Sequence, residues 1–156
     1  MYPITAEWDV PLLVARGYSS ETFLHASAEV LAAQNRPCMV YQLGDHDPAG
    51  KDSARHTETK LREFAPAADI TFKRLAVTPE QIDEMGLLTR ATKGSDSRSA
   101  KFEGESCEVD AIPPSQLRDI VYRTIASHID VHALRINDIA EQSERELLTR
   151  MAGDLS

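Results

Sequence analysis

The stretch CMVYQLGDHDPAG, Cys38 to Gly50, is an apolar run that stops abruptly at two aspartates. Val40, Tyr41 and Leu43 predict a buried strand, and Asp45, Asp47, Pro48 and Gly50 predict its exit into a helix. In a parallel α/β sheet the carboxyl ends of the strands are where ligands bind. Asp45 and Asp47 are two positions apart, so on extended backbone their side chains share one side and His46 takes the other. Two carboxylates there form an oxygen-only donor set suited to magnesium, or to manganese in its place. A plainer reading uses the same residues: Asp47 before Pro48 is a good helix start, with Asp as N-cap and Pro at the first helical position. A cap needs one carboxylate, however, and this turn has two. Gly50 lets the backbone pass close to whatever the pair holds.

On the C-terminal side, Ala54, Thr57, Leu61 and Phe64 recur at helical spacing, so Pro48 to Ala65 should be an amphipathic crossover helix that ends before Pro66. Ile70 to Val77, ITFKRLAV, is the next expected strand, and its alternation of Ile70 and Phe72 with Thr71 and Lys73 suggests a half-exposed one. Thr78 and Pro79 open a short helix through Met85, with Gln81 placed to close a capping box. On the N-terminal side, VPLLVA from Val10 to Ala15 is an apolar run of strand length, and Arg16, Gly17 and Tyr18 form its turn. Ser19 or Ser20 caps a helix facing inward through Phe23, Leu24, Ser27 and Leu31, ended by Asn35, Arg36 and Pro37. Ile4 to Trp8 reads as a helix remnant. Strand, helix, strand, helix, strand, helix implies an α/β fold with a small parallel sheet flanked by helices, Rossmann-like in plan.

Beyond Gly86 an irregular loop runs to Gly104, followed by an expected short strand from Cys107 to Ile112. Ser115 then caps a helix facing inward through Leu117, Ile120, Val121 and Ile125, and His132 to Met151 forms a C-terminal helical extension. The expected division is an α/β domain over residues 1–128 and a C-terminal helix over 129–156.

A length of 156 residues, with 42 % hydrophobic and 27 % charged content, fits one ordinary soluble domain. There is no apolar run of membrane-spanning length and no basic-then-apolar leader, so no membrane partner is expected and the cytoplasm is the expected compartment. Cys38 and Cys107 match neither a metal-ligand spacing nor a disulfide framework, and both should be reduced. The five histidines form no ligand constellation that spacing reveals. A net charge of −8 argues against indiscriminate nucleic-acid binding. One stretch runs against it: TRATKGSDSRSAK, Thr89 to Lys101, carries Arg90, Lys93, Arg98 and Lys101 against Asp96 alone. It reads either as a track for a nucleic-acid backbone or as a solvated linker.

Four stretches together resemble the Toprim domain, in the branch of the topoisomerase VI A subunit and its meiotic double-strand-break relatives. They are LLVARGYSSETFL from Leu12 to Leu24, LGDHDPAG from Leu43 to Gly50, LAVTPEQI from Leu75 to Ile82, and EVDAIPPSQL from Glu108 to Leu117. Smaller bacterial and phage Toprim proteins are similar also at Asp96, Ser97 and Arg98. The resemblance covers roughly Val10 to His128. It implies that Asp45 and Asp47 are the catalytic and metal-holding pair, with magnesium or manganese stabilising charge on a DNA or RNA phosphodiester. It further implies phosphate contacts from Arg16 and Lys51, which are otherwise ordinary solvated charges, and a backbone track at Arg90, Lys93, Arg98 and Lys101. Gly17 and Gly50 would be its structural turns. Glu108 and Asp110, with the spacing of the main pair, would be supporting ligands or an exposed strand face.

The family pattern also needs a glutamate at the end of its first strand, and this chain departs from it: Arg16 stands where a reader would look, and Glu7 lacks the motif context. The expectation is therefore a fragment of a larger DNA-processing protein, or a shortened form, inactive as this chain alone. The topoisomerase tyrosine belongs to a separate upstream domain in those enzymes, so no covalent DNA adduct is expected from Tyr2, Tyr18, Tyr41 or Tyr122. Two other readings stand beside it: a non-catalytic interaction module for nucleic acid or protein, and a phosphatase of the haloacid-dehalogenase type with an Asp-x-Asp nucleophile. A partner chain or a second copy would cover an exposed sheet edge.

Overall fold

The computed structural model describes residues 1–15, 17–92, 102 and 104–153. It is a small α/β structure. The order is α1 (Tyr2–Glu7), α2 (Glu21–Ala33), β1 (Cys38–Leu43), α3 (Pro48–Phe64), β2 (Ile70–Ala76), α4 (Pro79–Met85), a 3-10 turn (Val109–Ala111), α5 (Pro114–Ala126) and α6 (Val131–Gly153). Two compact units divide within α5: Leu12–Leu117, and Met1–Pro11 together with Arg118–Ser156. No helix among the described residues is long and apolar enough to cross a membrane.

The larger unit is built on one parallel strand pair. β1 and β2 run in register from Cys38 opposite Ile70 to Leu43 opposite Ala76, with a shift between Gln42 and Leu43. α3 is the crossover that a parallel pair requires. Its start is set by Asp47, whose side chain accepts the Gly50 N–H, with Pro48 in the first turn. α2 begins the same way, with Ser20 accepting from Phe23 N–H, and α4 carries the full capping box between Thr78 and Gln81 before ending at Gly86 in the left-handed region.

Two apolar clusters fill this unit. At the start of the strands Leu24 and Ala28 of α2 meet Leu61 of α3, Ala65 and Ile70. At their carboxyl ends Ala76, Val77, Cys107 and Ile112 form a second cluster against Leu43, Ile82 and Leu117.

Two expected strands are absent as such. Val10 to Ala15 has no regular structure, and Leu13 and Val14 are 59 % and 74 % exposed. An apolar run of strand length becomes a strand only where a neighbour completes its ladder, and Pro11 has no N–H to offer one. Cys107 to Ile112 is also not a strand. Cys107 makes a single antiparallel bridge to His46. The chain then turns, with Ala111 N–H bonding to Glu108 O and Ile112 N–H to Val109 O. The sheet among the described residues is thus two-stranded.

In the other unit, Trp8 and Tyr122 pack their rings 5.7 Å apart. Asp130 caps α6 by accepting from the N–H groups of His132 and Ala133. The side chains described along α6 are exposed, Ile139 and Leu148 at 62 % and 66 %, and its Arg145–Glu141 and Arg150–Glu146 pairs are i,i+4 ion pairs on one helix.

Candidate functional site

Past Leu43 the two chains stay hydrogen-bonded for one more step. Gly44 N–H bonds to Ala76 O and Val77 N–H to Gly44 O, each at 2.7 Å. Asp45, His46 and Asp47 follow at the carboxyl ends of both strands, and His46 exchanges both backbone bonds with Cys107, at 2.7 and 3.0 Å.

His46 is buried, while Asp45 and Asp47 are half-buried. Each aspartate gives one oxygen to a backbone amide. Asp45 Oδ1 accepts the Val109 N–H at 2.8 Å, and Asp47 Oδ1 accepts the Gly50 N–H at 2.6 Å. Among the described residues the second oxygen of each accepts no hydrogen bond. Gly50 is needed because a Cβ there would overlap the Asp45 carbonyl oxygen and crowd Asp47 Oδ1 at 3.2 Å. Asp47 is therefore the helix cap of the plainer reading, and it still keeps a free oxygen.

The electrostatics are set by a residue that sequence reasoning missed. Arg74 of β2 donates through Nη2 to Gly44 O at 2.7 Å and to Asp45 O, and through Nε to Val77 O at 3.2 Å. Its Nη1 is buried without a partner. Burial lowers the Arg74 pKa, opposed by the charges of Asp45 and Asp47. The signal was present in β2, where Arg74 continues the alternation of Ile70 and Phe72 up to the register shift. A guanidinium on the inward face of a strand needs acceptors, and carbonyls at a strand end supply them. His46, whose Nδ1 is also buried without a partner, is held below the ordinary imidazole pKa first by burial and then by the charges of Lys51 and Arg74.

Of the predicted phosphate and nucleic-acid contacts, Lys51 and Arg90 lie among the described residues. Lys51 lies on the first turn of α3, its Nζ 4.6 Å from the centre of the Phe102 ring, which also stands 5.3 Å from the His46 ring. Arg90 pairs with Glu108 at 2.6 Å, both about half exposed, so a predicted backbone contact and a predicted supporting ligand neutralise each other. Asp110 is exposed on the 3-10 turn. Arg16, Lys93, Arg98 and Lys101, with Asp96 and Ser97, lie outside the described residues. Gly17 has a φ of +68° and accepts the Ser53 hydroxyl at 3.2 Å. Beside it the Tyr18 hydroxyl donates to Asp52, which also holds Arg55 at 2.5 Å. The glycine turn is thereby moored on the first turns of α3.

Among the described residues no group of three or more His, Cys, Asp or Glu side chains is set to hold a metal. A magnesium ion does not require one, since it commonly takes one or two carboxylates and fills its shell with water and substrate phosphate. Asp45 and Asp47 fit that donor set through the oxygens not used by Val109 and Gly50. No protein-family model, no curated protein and no solved structure matches the chain.

Proposed function

We propose that this chain is a Toprim-type module whose Asp45–His46–Asp47 turn takes a magnesium ion and docks a nucleic-acid phosphodiester, DNA first among them. The observation that carries the reading is the pair of amide-anchored carboxylates, Asp45 on Val109 and Asp47 on Gly50, at the carboxyl end of two parallel strands. Anchoring one oxygen orients the other at little further entropic cost. Magnesium supplies positive charge to a phosphodiester oxygen that two carboxylates alone would repel. The chain's own part is to aim Asp45 and Asp47, with Lys51 on the adjacent helical turn as a cation for the phosphate backbone.

The experiment is a manganese or magnesium titration of the full chain with and without a short oligonucleotide. Asp45→Asn combined with Asp47→Asn should abolish cation binding, and unchanged affinity would sink the reading. A second reading is a metal-independent interaction module, favoured by the structural roles that both carboxylates already hold as acceptors of backbone N–H groups. The same titration decides between them, because a module of that kind binds the oligonucleotide with a salt dependence but with no cation requirement.

A further inference from the structure

We propose that Arg74 is a positioning residue for Asp45: by gathering the carbonyls of Gly44, Asp45 and Val77 onto one guanidinium, it fixes the backbone from which Asp45 reaches a cation. The inference rests on the magnesium reading and deepens it, naming a residue outside the pair on which cation binding depends.

Gly44 still has ladder partners, accepting from Val77 N–H and donating to Ala76 O. Asp45 O has left the ladder, and Arg74 Nη2 takes it together with Gly44 O, while Nε takes Val77 O. These carbonyls belong to two different strand exits. A planar fork of donors bridges them, whereas a lysine ammonium is a compact point charge on a flexible stem and cannot match that geometry.

The two aspartates consequently depend on different things. Asp47 is held by its own helix, through Gly50 N–H three residues on and Lys51 N–H on its carbonyl. Asp45 is held by distant chain: its carbonyl by Arg74 of β2 and its carboxylate by Val109 N–H, 64 positions away. Removing Arg74 should release Asp45 and leave Asp47 in place. A general loss of stability would loosen both alike.

The test compares full-length wild type with Arg74→Gln and Arg74→Lys, reading manganese affinity and the hydrogen exchange of the Val109 and Gly50 amides. Both variants should keep the wild-type circular dichroism. Manganese affinity should fall about tenfold or more, as for other residues that orient metal ligands. Exchange at Val109 should accelerate about tenfold, as expected for a weakened charge-assisted contact, while Gly50 stays within about twofold of wild type. Failure of Arg74→Lys alongside Arg74→Gln assigns the effect to the fork and not to the charge. Unchanged Val109 exchange, full rescue by lysine, or unfolding of both variants would each overturn the assignment. If wild type takes up no manganese while Val109 alone loosens in the variants, the positioning role stands and the magnesium reading falls.

Discussion

The two ends of the strand pair are built from different materials. At the start of β1 and β2 the buried side chains are Leu24, Ala28, Leu61, Ala65 and Ile70, and the buried hydroxyl of Ser27 is satisfied by Phe23 O of its own helix. At the carboxyl end Ala76, Val77 and Ile112 share their space with Cys107, His46 and Arg74, and among the described residues three polar atoms there, Gln42 Oε1, His46 Nδ1 and Arg74 Nη1, are buried without partners. A buried polar atom without a partner costs about 1–3 kcal/mol. A parallel pair leaves strand-end carbonyls and helix-start amides at its carboxyl edge, and the chain answers them with polar side chains, Arg74 on the Gly44 carbonyl and Asp47 on the Gly50 amide. Both ends stabilise, one through apolar packing and the other through apolar packing joined to polar side chains that satisfy backbone groups.

That contrast can be broken from either side. The largest effect belongs to the apolar end: Leu24→Ala should cost about 2–5 kcal/mol in urea denaturation, a sizeable part of a typical domain's stability, and leave cation affinity per folded molecule unchanged. Loss of cation binding in that variant would mean that the two ends are not separable. Gly50→Ala comes next. Its Cβ would press on Asp45 O and Asp47 Oδ1, an overpacking expected to cost about 1–3 kcal/mol, and here cation affinity should fall with stability because the pair itself is displaced.

The smallest effect is on reactivity. Both cysteines are free, Cys38 half-buried at the start of β1 and Cys107 buried at the other end. Burial, then the charges of Asp45 and Glu108, raise the Cys107 pKa. A raised thiol pKa leaves less thiolate at a given pH, so iodoacetamide at pH 8 should label Cys38 first, and Cys107 should react at an ordinary thiol's rate only on unfolding. Equal labelling of the native protein would show that the carboxyl end is open to solvent.

Of the cations in the basic stretch, Arg90 lies among the described residues, and it pairs with Glu108. The strand exit before Asp45 and the helix start at Asp47 are legible because their signals are adjacent in sequence. The pairing of Arg90 with Glu108 was not legible. It depends on the antiparallel bridge of Arg90 to Ser106, which brings residues 16 and 18 positions apart together. An exposed pair of this kind contributes about 0–1 kcal/mol at most, so its significance is the charge it cancels and not its stability. Arg74 was legible in principle, as a charge on the inward face of β2, but two of its three acceptors sit 29 and 30 positions earlier.

By itself the amino-acid sequence determined the elements whose signals are local. Ser20, Asp47 and Thr78 with Gln81 set the starts of α2, α3 and α4, and the runs Cys38–Leu43 and Ile70–Ala76 are strands, the second half-exposed as expected and the first only half-buried where a buried strand was expected. Caps and periodicity act within one or two turns, so their outcome does not wait on the rest of the chain. Only the tertiary structure decided which apolar runs found a ladder. Val10 to Ala15 did not, and Cys107 became a single bridge followed by a turn. Strand pairing and the satisfaction of a buried charge are long-range events, settled by whichever backbone groups the fold brings within hydrogen-bond reach. The place of Asp45 between Arg74 and Val109 is of that second kind.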